Sequence, residues 1–467
     1  MTRLFAIGGY VYQSGTAIVL IFAISHILIA SNYTSFSLAL ASSQLLCVLM
    51  FEWLQLAGLR FLAAAKINEA AQLRWSLFGA AILSAASLII LGGCASLLSN
   101  LSVGVVSLGL TVAVLQGLTD LYFLTIRLSD RLGTASILLA LRATALLVGA
   151  ISAATCAGTA EAALAGLAFG HATSLIVAII VHRTPLRPVS LHSMLTDWFA
   201  FCRYGMLAAG ASVIHLSVPV LLRFIIIGRI GPAGAGAGFS IALDLLQRPF
   251  WVLNAAIHTV SYPEVVSDFE TGSAAKAVQS ARRMFEFMIC ATTVLLGGLI
   301  AFLPEAAHLM VPRESLEVFM TVAPFVAVFY FLHTHLQATV AVVPHLEKRA
   351  SRLVLVATVQ LAAVAASSAI AMAAGLSLRA AIASAATATA VVILLALGPT
   401  IRFSAIPRAT LANEAVVAAI LIASLAALPM QPVIWLGGKI LLAAGLTGVI
   451  AWRGNFIAPN HPDDQLL

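Results

Sequence analysis

The chain predicts an all-α, polytopic membrane protein of about fourteen transmembrane helices, and three observations carry that expectation. Hydrophobic residues make up 61% of its 467 positions and charged residues only 9%. Apolar runs of about twenty residues recur from end to end, each long enough to cross a hydrocarbon core of about 30 Å. The few charges are sorted along the chain rather than scattered. With a mean hydropathy of +1.04, a soluble enzyme held by one anchoring helix is excluded.

The elements follow in order. The run at 8–30 is too long for the apolar part of a cleaved signal peptide and reads as a retained span. Runs at 35–61, 75–98, 103–126, 133–155 and 160–182 complete a first set of six. A second set lies at 204–228, 236–261, 282–305, 316–344, 352–375 and 378–401, followed by 411–428 and 433–452. Gly231-Pro232-Ala233-Gly234 predicts a sharp turn between the seventh and eighth runs. Pro249, Pro263, Pro304 and Pro324 mark kinks near connections or cavities, where neighbouring groups satisfy the freed backbone. Small residues abound within the runs, as helices packing closely in lipid require. No connection is long enough to hold a soluble domain.

The basic residues set the orientation. Of the 25 Lys and Arg, 18 fall in every second connection and at the two ends. Arg60, Lys66 and Arg74 mark the second connection, Arg127 and Arg131 the fourth, and Arg183, Arg187 and Arg203 the sixth. Lys276, Arg282 and Arg283 mark the eighth, Lys348, Arg349 and Arg352 the tenth, and Arg402 and Arg408 the twelfth. The connections at 31–34, 99–102 and 429–432 carry no basic residue. The positive-inside rule therefore assigns the basic connections and both termini to the cytoplasm, and an even number of spans requires the same. The net charge of +7 reflects this bias; no basic stretch is long enough for nucleic acid to be a partner.

Two segments repeat a pattern. Phe36-Ser37-Leu38-Ala39-Leu40 followed by Gln44 matches Phe239-Ser240-Ile241-Ala242-Leu243 followed by Gln247. The offset of six spans predicts a duplicated core of two six-helix lobes, 1–195 and 196–405, related by an axis along the membrane normal. Two extra helices and a short cytoplasmic tail then occupy 406–467.

Four basic residues fall inside the apolar runs: Arg142, Arg223, Arg248 and Lys439. Charges at membrane depth are costly and face a bundle interior or a wet cavity. Arg142 and Arg248 lie near mid-membrane, and Asp244 precedes Arg248 by four residues, on the same helix face. Arg223 and Lys439 lie closer to an outer end and are expected to snorkel toward the interface. Glu52 and Asp120 are further intramembrane acids. One reading has these charges neutralise each other and hold the bundle together. The other has the arginines, whose planar donor fork suits phosphate, attract an anionic substrate.

His171, His258, His333 and His335 also lie within runs and read as hydrogen-bonded packing groups or proton relays. The five cysteines have no CxxC spacing and read as packing residues, so neither a metal nor a cofactor is expected. No P-loop, GxSxG or HExxH occurs, so an enzyme is not expected and transport is.

The chain resembles the Wzx-like polysaccharide flippases of the multidrug/oligosaccharidyl-lipid/polysaccharide (MOP) exporter superfamily over most of 8–400. One block runs Ser35-Phe36-Ser37-Leu38-Ala39-Leu40 to Phe51-Glu52-Trp53-Leu54 and Leu59-Arg60-Phe61. A second runs Ile227-Gly228-Arg229-Ile230-Gly231, Phe239-Ser240-Ile241-Ala242 and Val260-Ser261-Tyr262-Pro263. The chain departs from the family pattern at Leu222 and Phe239, where an acid and a tyrosine are usual. The resemblance implies export of a lipid-pyrophosphate-linked oligosaccharide for surface polysaccharide such as O-antigen, across a bacterial inner membrane. It also implies two lobes around a cationic cavity.

The residues and the resemblance together yield a set of expectations. Arg142, Arg248 and, more weakly, Arg223 bind the substrate, while Glu52, Asp120 and Asp244 pair with them or carry coupling protons. The expected partners are the lipid-linked oligosaccharide, the bilayer and polysaccharide polymerase or assembly proteins. The alternatives are a cation-coupled drug antiporter of the same superfamily and a non-transporting scaffold of envelope assembly.

Overall fold

The computed structural model describes residues 2–98, 102–129, 132–271, 273–403, 405–428 and 433–456. Most of the expected connection at 99–102, Arg131, the connection at 429–432 and the tail from 457 onward lie outside the described residues, as does the side chain of His258. Every described regular element is helical: α1 (Thr2–Ile27), α2 (Ala30–Ala64), α3 (Ile67–Leu98), α4 (Val103–Arg127), α5 (Leu132–Ala157) and α6 (Ala160–Val181). These are followed by α7 (Leu191–Ile230), α8 (Gly234–Val260), α9 (Tyr262–Glu270), α10 (Ala274–Ala301), α11 (Leu303–Met310) and α12 (Arg313–His335). The series ends with α13 (Val342–Leu346), α14 (Ala350–Ala373), α15 (Leu378–Ala396), α16 (Gly398–Arg402), α17 (Ala409–Ser424) and α18 (Val433–Arg453). A π-helical turn, Leu336–Val340, joins α12 to α13.

The fourteen apolar runs fall on these helices, those at 282–305, 316–344 and 378–401 each spanning more than one. Among the described residues, twelve helical segments are long and apolar enough to cross a membrane. The remaining two runs are α1, whose described apolar part is Val11–Ile27, and α8, which carries Asp244 and Arg248. The protein is an all-α polytopic membrane protein. Large apolar side chains such as Ile82, Ile90, Ile180, Leu394 and Leu395 are exposed, as lipid-facing positions require.

Helix starts are set locally. The hydroxyls of Ser102, Thr159, Ser190 and Ser377 accept from the backbone N–H three residues on, capping α4, α6, α7 and α15. Gly231 ends α7 at φ 81, a left-handed conformation that favours glycine, and turns the chain into α8.

Two elements depart from the sequence expectation. α7 begins 13 residues before the run at 204–228, because Ser190 caps it and its first turns pack on α3. There Ser76 donates to Asp197 (2.6 Å) and Trp198 Nε1 donates to the Ser76 carbonyl (2.7 Å). Polar residues among 191–203 hide this extension from a hydropathy reading. Short α9 and α11 fill what read as connections or span ends.

The chain forms two compact units. The first comprises Met1–Leu245 and Ala350–Leu376. In it α5 packs on α1 and α6, α2 on α4 and α7, and α7 on α14. Phe51, Leu54, Leu77, Leu110 and Leu121 form much of its core. Gly149 and Gly166 bring the α5 and α6 backbones together; a Cβ built on Gly166 would stand 2.2 Å from the Gly149 carbonyl oxygen. The second unit comprises Leu246–Arg349 and Ser377–Leu467. In it α10 packs on α9 and α17, α12 on α15, and α17 on α18, around Met284, Phe285, Met288, Val343 and Leu346.

Candidate functional site

The intramembrane charges of the first unit gather into two clusters. In one, the Arg142 guanidinium of α5 donates through NH1 to Asp120 Oδ1 of α4. Arg142 is buried at 6% exposed while Asp120 is half-buried, and the guanidinium carbon lies 5.7 Å from the centroid of the Phe123 ring. Glu52 and Cys47, five residues apart on α2, lie within electrostatic reach of Asp120, and His171 of α6 within reach of Arg142. Asp120 holds the guanidinium, and Glu52 is a second carboxylate near Asp120.

The second cluster joins α2, α7 and α8. Arg223 NH2 donates to Asp244 Oδ1 (2.6 Å), and NH1 donates to the carbonyl and hydroxyl oxygens of Ser37 (2.9 and 2.5 Å). Ser37 and Tyr33 donate in turn to Asp244 Oδ2 (2.5 and 3.0 Å). Thr34 donates to the Pro232 carbonyl, so the same stretch of α2 also holds the α7–α8 turn. Asp244, one helix over, supplies the carboxylate that pairs with Arg223.

The expectation that Arg223 snorkels is corrected: it is 3% exposed. Lys439 is likewise 0% exposed and donates to Glu305 Oε1 of α11 at 2.5 Å. Each is held by a carboxylate on a neighbouring helix. A buried charge takes that partner.

The second unit holds acids that sequence reasoning missed. Glu286 of α10 is buried and accepts from Arg408 three times, from the backbone N (2.9 Å), Nε (3.0 Å) and NH2 (2.9 Å). These bonds hold the Arg408 guanidinium above its ordinary pKa. Arg453 of α18 donates to Glu414 of α17. Arg248 lies half-buried in α8, in the second unit, while Asp244 belongs to the first.

Two of the span histidines, His335 and His333, are hydrogen-bonded within the second unit. His335 bridges Thr292 (2.8 Å) and Thr339 (3.2 Å) through its two ring nitrogens, and His333 meets Gln337 (2.8 Å). His215, not singled out from sequence, meets Gln360 of α14 at 3.0 Å. Among the described residues no three His, Cys, Asp or Glu are grouped to hold a metal.

No family model matches the sequence, and no curated protein matches it. Solved structures match the fold. The inward closed conformation of the lipid II flippase MurJ matches with a TM-score of 0.72 at 10% identity, covering 98% of this chain and 99% of that one. An inward-facing multidrug resistance MATE transporter of the MOP superfamily matches at 0.58 and 13%, covering 87% and 95%. The eukaryotic MATE transporter AtDTX14 matches at 0.54 and 15%, covering 90% and 100%. These neighbours are transporters rather than enzymes.

Proposed function

We propose, from the premise that the chain has the fold of the MOP-superfamily transporters, that it moves a lipid-pyrophosphate-linked oligosaccharide across the bacterial inner membrane by alternating access. The observation that carries this reading is the extent of the fold match. The flippase covers 98% of this chain, whereas the MATE neighbours cover 87% and 90% of it. The intramembrane arginines support the same substrate class, because a guanidinium binds phosphate oxygens in pairs.

Within the candidate set, Arg248 is the first choice for the pyrophosphate, since it is half-buried rather than sealed. Arg142 and Arg223 already hold Asp120 and Asp244, and either would serve substrate only by exchanging a carboxylate for a phosphate. Glu52 is the candidate for coupling, being the carboxylate beside the Arg142–Asp120 pair. The lobes at 1–195 and 196–405, cytoplasmic termini and a polymerase or assembly partner complete the proposal.

Proteoliposomes carrying a fluorescent lipid-pyrophosphate oligosaccharide test it. The purified protein is expected to speed transbilayer movement well above protein-free vesicles. Arg248→Ala is expected to lower the rate by about 10-fold to 100-fold, the worth of a charge-assisted contact. Movement no faster than in empty vesicles sinks the reading. Proton-driven efflux of a cationic dye instead would establish the second reading, drug antiport, which the adjacent carboxylates Glu52 and Asp120 favour.

A further inference from the structure

The first unit contains buried polar atoms that the ion pairs do not use. Arg142 Nε, His171 Nδ1 and Ser174 Oγ have no hydrogen-bond partner among the described residues. Their residues are 6%, 4% and 0% exposed. Helix register brings them to one depth. Gly149 meets Gly166 and Ala145 meets Gly170 across the antiparallel α5–α6 contact. Continuing that register by one turn sets Arg142 opposite 171–174. His171 and Ser174, three apart on α6, share a face. Arg142 acts electrostatically on His171, which places the two side chains near each other.

Leaving such groups dry costs stability, and buried polar groups in folded proteins find protein or water partners. The site's chemistry selects the ligand. An anion is opposed by Asp120 and Glu52, two carboxylates against one guanidinium. A cation is opposed by Arg142, whose Nε–H can only donate. A water molecule accepts from Arg142, and both donates to and accepts from His171 and Ser174. Buried waters of this kind make about three such bonds.

We propose that the first unit encloses an ordered-water site at the depth of Arg142, bounded by Arg142, His171 and Ser174. The water joins His171 and Ser174 to the Arg142–Asp120 pair and keeps the guanidinium solvated within the membrane. This inference does not depend on the transported substrate.

Hydroxyl-radical labelling by X-ray pulses, read by mass spectrometry on the full-length protein in nanodiscs, tests it. Radicals formed from trapped water oxidise adjacent side chains. His335 is the internal control, being 9% exposed with both ring nitrogens bonded to threonines. His171 is expected to label several-fold faster than His335. In parallel, Ser174→Ala removes a hydroxyl that is either a water ligand or an unsatisfied burden, so its unfolding temperature should fall. Equal labelling of the two histidines overturns the proposal. So does a Ser174→Ala protein that unfolds at the same or a higher temperature. Neither readout involves transport, so a failed flipping assay leaves this inference standing on its own result.

Discussion

Arg408 gives three N–H groups to one carboxylate, Glu286, and so ties the start of α17 to the middle of α10. The two ends of the pair differ: the Glu286 side chain is 6% exposed and that of Arg408 52%. Removing the glutamate frees an arginine that water can receive, whereas replacing the arginine leaves a buried carboxylate with only the backbone N–H of residue 408. Arg408→Ala is therefore expected to cost more than Glu286→Ala, at about 3 kcal/mol against about 1–2 kcal/mol. Thermal unfolding in detergent measures the difference, and the reverse order would refute the asymmetry.

The same logic runs the other way for Lys439 and Glu305. Here the cation is the sealed member, with a side chain 0% exposed against 17% for the acid. Glu305→Ala should destabilise by about 3–5 kcal/mol, and Lys439→Met by less. The double variant Lys439→Met with Glu305→Leu should recover most of the loss, because apolar replacements of a buried pair are often neutral. A double-mutant cycle on unfolding temperature tests it; losses that simply add would contradict it.

Arg223 spans Ser37 and Asp244 with its two terminal nitrogens. A lysine keeps the charge but offers one point donor in place of the fork. Arg223→Lys should hold Asp244, lose the Ser37 contacts and destabilise by about 1–2 kcal/mol. Equal stability of Arg223→Lys and the parent would show that the fork carries nothing.

Gly166 is predicted to tolerate no side chain, since its Cβ would meet Gly149 backbone rather than a movable side chain. Gly166→Ala should part α5 from α6 and cost about 1–3 kcal/mol or more. Gly15 lies in α1 with open space at its Cβ position, so Gly15→Ala should be neutral or stabilise by about 0.5–1 kcal/mol. Yield of folded protein and its unfolding temperature separate the two cases.

Much of the fold was legible because lipid imposes a one-dimensional rule. Twenty apolar residues make a span, and all fourteen runs fall on helices. What hydropathy cannot express is a helix running on beyond the apolar zone, as α7 does through 191–203, or eight residues of helix in a connection, as in α11. The charges at depth were equally legible as positions. Their partners were not: Asp120 reaches Arg142, Asp244 reaches Arg223 and Glu305 reaches Lys439 across helices, where sequence spacing carries no register. Glu286 and Glu305 escaped notice because each lies near an end of the run at 282–305, where acids are ordinary. Distance to the nearest interface, used to judge Arg223 and Lys439, ignored that a neighbouring helix can be nearer still.

α7 has a mechanical consequence. Its 40 residues make a rod of about 60 Å, twice the hydrocarbon thickness. It is gripped near one end by Ser76, through Asp197 and Trp198, and near the other by Ser37 and Asp244, through Arg223. Trp198 and Arg223 stand about 38 Å apart along the axis, at 1.5 Å per residue. A rod held at two such points is a lever: a tilt imposed at Trp198 arrives at Arg223 as displacement. Pro219, which removes one backbone hydrogen bond within the rod, lies one turn from the Arg223 grip.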